Sequence, residues 1–209
     1  MYQMAIFSFF VASLLAHTLD GGPDFQKKTN DSEWKLEKDK NGIKIYTRHV
    51  EGYVIKEFKA IAIVEADIEV VLAEVLDADH LEEWMSNIAT ARNIEIKKNG
   101  DYIMYYQLAL PWPMQDRDAI SENRIIRGAD STIVITTMRP DYLPEDPDLI
   151  RMRSATGGWV LKPIAKNRCQ VIYQFVANPS TKVPGWIANM FIVDSPYETI
   201  KNLKERLEK

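Results

Sequence analysis

The sequence predicts an α+β fold: a curved antiparallel β-sheet wrapped around a long C-terminal α-helix, with two short helices after the third strand. Three observations predict it. From Ala91 onward, about ninety residues alternate apolar and polar positions, broken only by tight-turn residues. Near the end, Trp186, Met190, Val193, Tyr197, Ile200, Leu203 and Leu207 recur every three or four positions, the spacing of one helix face. Between the strand-like runs Tyr102–Leu110 and Arg117–Ile126 lies Pro111-Trp112-Pro113-Met114-Gln115-Asp116. That connection is too proline-rich to continue a strand and too apolar to sit idle in water. It reads as a stiff flap beside a hydrophobic cavity.

The elements follow in order. Trp34–Lys38 and Ile43–Val50 read as strands around Asp39-Lys40-Asn41-Gly42, where Asn-Gly signals a hairpin. Val54–Val64 is a third strand. Asp67 caps a helix over Ile68–Leu76, and Asp79 with Glu82 resembles a capping box for a short helix through Trp84. The meander then runs through Asn93–Lys97, Tyr102–Leu110, Arg117–Ile126, Thr132–Arg139, Leu149–Thr156, Trp159–Pro163 and Arg168–Ala177. Its turns are Asn99-Gly100, Gly128-Ala129-Asp130 and Lys166-Asn167. The last helix spans about Pro184 to Leu207. Pro196 lies inside it and deprives the Ile192 carbonyl of its partner, so a kink is expected there.

The length of 209 residues suits one domain with a sizeable core, and the net charge of −4 argues against a nucleic-acid partner. Cys169 is the only cysteine, which excludes an intrachain disulfide and a Cys-rich zinc site. Residues 1–19 carry no charged side chain, and Met4–Ala16 is nearly continuous apolar sequence. The run is shorter than the ~20 residues a spanning helix needs and has the length of a signal-peptide core. It lacks a basic start, and Leu14 departs from the cleavage pattern that would place the cut after Ala16. We read 1–19 as a signal peptide, 20–33 as a linker and 34–209 as the domain. The protein is then expected to be exported, periplasmic or secreted. The alternative is an N-terminal helix packed on a cytoplasmic protein.

Catalytic patterns are sparse. His17 falls in the leader, His49 at a strand end and His80 in a helix's first turn, and none is patterned with a nucleophile or carboxylate. There is no Gly-x-Ser-x-Gly elbow, no His-Glu-x-x-His and no phosphate-cradling glycine loop. The acidic stretch Asp141–Asp148 lacks the alternation and glycine of a calcium loop and reads as a turn. No catalytic residue, metal site or cofactor is expected.

The inner wall carries more information. In the strand after the flap, Arg117, Ala119, Ser121, Asn123 and Ile125 share one face, and Asp118, Ile120, Glu122, Arg124 and Ile126 share the other. The charged second face suits solvent. The first therefore faces inward, and its small polar centre leaves space where a packed core would want bulk. On the preceding strand, Ile103, Tyr105, Gln107 and Ala109 share a face, taken as the inner one. A lipid with about 16 buried methylenes loses roughly 13 kcal/mol on entering water, so a carrier must enclose it.

Several pieces carry a family resemblance: Trp34-Lys35-Leu36, Asn41-Gly42-Ile43-Lys44-Ile45-Tyr46-Thr47-Arg48, Trp84, Pro111-Trp112-Pro113 with Arg117-Asp118, Gly158-Trp159-Val160-Leu161-Lys162-Pro163, and Pro184-Gly185-Trp186-Ile187-Ala188-Asn189. In this order, from Trp34 to about Leu207, they resemble the START lipid-transfer family of the helix-grip, Bet v 1-like superfamily. The resemblance implies one hydrophobic ligand, a lipid, in an internal cavity, transient membrane contact and transfer between membranes by a monomer. By alignment with sterol-carrying members, Gln107 falls where they hold a buried Glu and Asn123 where they hold an Arg, with Ser154 near a polar cavity position. Neutral amides thus stand in place of an ion pair. Trp186, Met190 and Tyr197 are the expected roof; Pro111, Trp112, Pro113 and Met114 are the expected gate. Two other readings stay open. One is a polyketide cyclase or aromatase of similar fold, using Tyr105, Gln107, Arg117 and Asn123. The other is a non-catalytic ligand sensor.

Overall fold

The computed structural model describes residues 32–179 and 181–208. The expected leader and nearly all of the linker lie outside the described residues. Strands β1 (Lys35–Lys40), β2 (Ile43–Arg48) and β3 (Glu57–Val64) come first. Helix α1 (Ile68–Leu76) and a 3₁₀ helix (Ala78–Glu83) follow. Then come β4 (Ile88–Ile96), β5 (Tyr102–Leu108), β6 (Arg117–Arg127), β7 (Thr132–Met138), β8 (Ile150–Arg151), β9 (Ser154–Ala165) and β10 (Arg168–Asn178). The chain ends in α2 (Gly185–Asn189), a π-helical turn (Met190–Asp194) and α3 (Ser195–Leu207).

The strands form one open sheet in the order β1-β2-β3-β10-β9-β7-β6-β5-β4, and its long ladders are antiparallel. The short β8 pairs with β6 in parallel, off this path. The expected fold is therefore the observed one. The first hairpin turns at Asn41-Gly42, both at positive φ (54° and 73°), which suits the right-handed twist of its strands. Asp67 caps α1 by accepting from the Glu69 amide at 2.9 Å. The expected capping box at Asp79 and Glu82 does not form: the segment is 3₁₀ and has no side-chain cap.

The core lies between the concave sheet and the helices. Tyr197, Ile200 and Leu203 of α3 are buried with Ile43, Ile45, Ala60 and Ala62 of β2 and β3. Two cross-chain bonds hold α3 to the segment after the 3₁₀ helix: Ser86 N donates to Thr199 Oγ1 at 3.1 Å, and Asn202 Nδ2 donates to the Trp84 carbonyl at 3.0 Å. Among the described residues, no helix is long and apolar enough to cross a membrane.

Two further expectations are overturned. The expected break between the runs Leu149–Thr156 and Trp159–Pro163 is absent, and β9 passes straight through Gly157 and Gly158. Their φ values are +155° and +144°, and a Cβ would meet the Gln174 carbonyl oxygen at 2.0 Å and the Val134 carbonyl oxygen at 1.8 Å. Close backbone approach from both neighbouring strands excludes any side chain there. The second correction concerns the face of β6 expected in solvent. Asp118, Ile120 and Glu122 are buried, because the chain from Arg139 to Met152 folds across them. Arg139 N bonds the Ile120 carbonyl, Ile150 N bonds the Asp116 carbonyl, and Met152 N bonds the Asp118 carbonyl. Arg151 pairs with Asp118, while Lys97 and Arg139 pair with Glu122.

Candidate functional site

Between the inner face of the sheet, α1, the 3₁₀ helix and the π-helical turn lies a cavity of about 220 Å³. Side-chain alternation builds its wall. Phe58 on β3 pairs with Phe175 on β10, so both rings point inward, as does Tyr173 two positions away. Tyr173 stacks on Trp159 of β9 at 4.1 Å and 13° and meets Phe58 edge-on at 5.1 Å. Val75, Leu76 and Leu81 close one side, and Phe191, Ile192 and Pro196 close another.

The helical wall is shaped by Pro196. It has no N–H to offer the Ile192 carbonyl, and the ladder widens into a π turn in which Ser195 N bonds Met190 O. The kink expected near Ile192 takes this form. The widened turn carries Phe191 and Ile192 into the cavity lining.

One polar cluster interrupts the apolar wall. Thr136 Oγ1 donates to Asn123 Oδ1 at 2.7 Å, Asn123 Nδ2 donates to Ser121 Oγ at 2.9 Å, and Ser121 Oγ donates to the Tyr106 hydroxyl at 3.1 Å. Burial pushes the Tyr106 phenol above its usual range, partly offset by the bonds from Ser121 and Asn123. The cluster satisfies itself internally, so it stays neutral and needs no ligand to complete it.

Arg117 is different. It lines the cavity and is only 4% exposed. Its Nη2 donates to Thr181 Oγ1 at 2.9 Å, while its buried Nε meets no acceptor among the described residues. Burial holds its guanidinium below the usual range.

The structure divides the residues singled out from sequence. Ala119 and Asn123 line the cavity. Ser121 points the same way, but its hydroxyl is consumed by the cluster and it is fully buried. Tyr105 and Gln107 do not face inward. Tyr106 pairs with Ala119 and Gln107 with Asp118, so the inner residues of β5 are Tyr106 and Leu108. Parity on β5 follows its register with β6, which alternation within β5 alone does not reveal. Tyr105 instead lies under the Arg92 guanidinium, 4.7 Å from the ring centre. Ser154 is exposed, and its neighbour Ala155 lines the cavity.

On the helices, Trp186 is 58% exposed and Met190 is half-buried, and neither lines the cavity. Tyr197 is buried in the core, its hydroxyl accepting from Asn41 Nδ2 at 3.2 Å. The roof is built instead by Val183, Phe191, Ile192 and Pro196. Of the flap region, Leu110 reaches the cavity, while Pro111, Trp112, Pro113 and Met114 stand outside its lining. Gln115 Nε2 bonds the Asp148 carbonyl and Asp116 accepts from Leu110 N, tying the flap to its own base and to the 139–152 crossing. Trp112, at its tip, is 89% exposed. His49 and His80 are both exposed. The aromatic wall of Trp159, Tyr173 and Phe175 was missed, although the Tyr173-Phe175-Ala177 alternation on β10 carried the signal.

Known proteins are similar to this chain in sequence and in fold. A STAR-related lipid transfer protein from Xanthomonas axonopodis superposes with a TM-score of 0.78 at 32% identity, covering 84% of this chain and 99% of that one. An uncharacterized Pseudomonas aeruginosa protein is 30% identical over 178 residues, 85% of this chain and 88% of its own. The human phosphatidylcholine transfer protein is 23% identical over 164 residues, 76% of each chain. The START domain matches residues 26–209, and the chain belongs to the START domain family.

Proposed function

We propose that this protein binds a single lipid in the cavity between sheet and helices and carries it between membranes as a monomer. The observation that carries this reading is the cavity itself: about 220 Å³, walled by aromatic and aliphatic side chains that continue into the buried core. Its volume exceeds a ~150 Å³ engineered cavity that stays dry and takes benzene. It falls short of the roughly 300–1,000 Å³ of typical ligand pockets. A large lipid therefore enters by displacing part of the wall. Relatives named for lipid transfer support the same reading.

Membrane contact belongs to the proposal. Trp112 on the flap, Val54 on the β2–β3 loop (86% exposed) and Trp186 on α2 each adjoin a segment that contributes to the cavity wall. Exposed tryptophans suit the bilayer interface. Export by the apolar leader is likewise proposed, with cleavage near Ala16 and the mature chain starting shortly after it.

The test is mass spectrometry of small molecules extracted from the purified full chain, paired with a vesicle-to-vesicle transfer assay using fluorescent lipid. A stoichiometric lipid and protein-dependent transfer are expected. A bound polyketide that is chemically converted would overturn the carrier reading in favour of an enzyme, and transfer no faster than spontaneous exchange would remove the transport role.

A further inference from the structure

The cavity holds an electrostatic asymmetry that its apolar wall does not require. Its lining includes two cations, Lys56 and Arg117, and no Asp or Glu among the described residues, in a chain of net charge −4. Lys56 has a neutralising neighbour, with Nζ 3.6 Å from Glu37 Oε1. Arg117 has none among the described residues: its Nη2 donates to a neutral hydroxyl, Thr181 Oγ1 at 2.9 Å, and its buried Nε meets no acceptor there. The next residue shows what the fold does elsewhere with a buried guanidinium. Asp118 takes two bonds from Arg151, both at 2.8 Å, on the opposite face of β6. Asp118 is thus committed away from the cavity, and Arg117 cannot share it.

A guanidinium removed from water without a counter-charge is costly, and the cost is relieved when an anion reaches it. Its planar fork matches the oxygens of a carboxylate or phosphate. Arg117 opens β6 directly after the flap, beside Leu110, and Thr181 and Val183 come from the segment leading into α2. The polar cluster at Asn123 is self-satisfied and neutral, and it offers a charged ligand nothing comparable.

We propose that Arg117 is an oxyanion-binding site of the cavity, and that the ligand is an apolar molecule ending in a carboxylate or phosphate. This rests on the lipid-binding reading above and names the chemical class of the ligand. Arg117 Nε and the guanidinium edge receive the head, Thr181 orients the guanidinium, and the Trp159-Tyr173-Phe175 wall receives the tail.

The test uses three probes with one tail, each below its aggregation concentration: oleate, oleyl phosphate and oleyl alcohol. Titration calorimetry on the full chain measures binding to the native protein and to the Arg117→Gln and Arg117→Lys variants. The native protein is expected to prefer at least one of the two anions over the alcohol by about ten- to a hundredfold, the size of a charged hydrogen bond in an apolar site. Arg117→Gln should erase that preference, read within each protein as the ratio of anion to alcohol affinity, and Arg117→Lys should keep part of it. Which anion binds tighter identifies the source, a free fatty acid or a phosphorylated lipid. Equal affinity for anions and alcohol in the native protein would overturn the proposal while leaving lipid binding intact. So would a preference that survives Arg117→Gln. If Arg117→Gln does not fold, Arg117→Lys must still weaken anion binding selectively. If none of the three probes binds, the lipid-binding reading falls with this site.

Discussion

Asp118 and Arg151 form a two-bond ion pair in which both side chains are only 2% exposed. Arg151 also bonds the carbonyls of Pro140, Leu143 and Pro144, so one guanidinium fastens the 139–152 crossing to the outer face of β6. Arg151→Met should therefore destabilise the protein by about 3–5 kcal/mol, mostly by leaving the Asp118 carboxylate buried and unpaired. The double variant Asp118→Leu/Arg151→Met should cost less than Arg151→Met alone. Urea unfolding of the three proteins checks this. A double variant less stable than Arg151→Met would mean that the carbonyl contacts, rather than the ion pair, hold the crossing.

Glu122 gives that outer face a pH dependence. Its carboxyl is held below the ordinary value of 4.5, chiefly by the Lys97 hydrogen bond and then by Arg139. The folded pKa is depressed, so the stabilisation is fully present above about pH 4.5 and is lost as pH falls through the folded value. Glu122→Gln should lower stability at pH 7 and flatten the acid limb below pH 4.5. Denaturation midpoints from pH 7 to pH 3 decide the matter. Parallel acid limbs for variant and native protein would show that Glu122 does not contribute there.

Ala119 offers a direct probe of the cavity because it lines the space and makes no polar contact there. At about 24 cal/mol per Å³, 220 Å³ held dry would cost about 5 kcal/mol. Ala119→Leu should recover about 0.5–2 kcal/mol of that and weaken binding of a fluorescent lipid. Ser121→Phe is a poorer test, since it breaks the bonds from Ser121 to Tyr106 and from Asn123 to Ser121. Thermal unfolding and lipid titration on Ala119→Leu measure both effects. Lower stability combined with unchanged lipid affinity would place the ligand elsewhere.

The elements legible in the sequence were those whose chemistry is local. Asn41-Gly42 specifies its own turn, Asp67 its own cap, and Pro196 its own break. The inward face of β6 was legible from the charges on its other face, although Asp118 and Glu122 are buried there under the 139–152 crossing rather than solvated. What escaped depends on partners distant along the chain. The facing of Tyr105 and Gln107 is set by the register with β6, and Tyr106 was the residue to choose. The burial of Asp118 and Glu122 requires Arg139 and Arg151, which no pattern within β6 announces. Gly157-Gly158 signalled a break because glycine usually does; here its absent side chain admits the carbonyls of the neighbouring strands. Arg117 was placed on the right face, but its lack of a counter-ion among the described residues is visible only once the strands are assembled.

The gate follows from the same accounting. The flap residues Pro111 to Met114 stand outside the cavity lining, whereas Phe191 and Ile192 of the π-helical turn close it. That turn exists because Pro196 withholds a donor from the Ile192 carbonyl. An interrupted ladder is a weak point about which α2 can swing while α3 stays fixed by Ile200 and Leu203. Pro196→Ala returns an N–H that can bond Ile192 as an ordinary helical step. One regained backbone bond is worth about 1 kcal/mol, which raises the opening barrier enough to slow exchange about fivefold. Stopped-flow release of a fluorescent lipid from Pro196→Ala and native protein measures the rate, and circular dichroism reports the added helix. A gain in helix with no change in release would show that the ligand leaves without opening the π turn, and the search for the gate would move to the β2–β3 loop at Ile55 and Lys56, which also line the cavity.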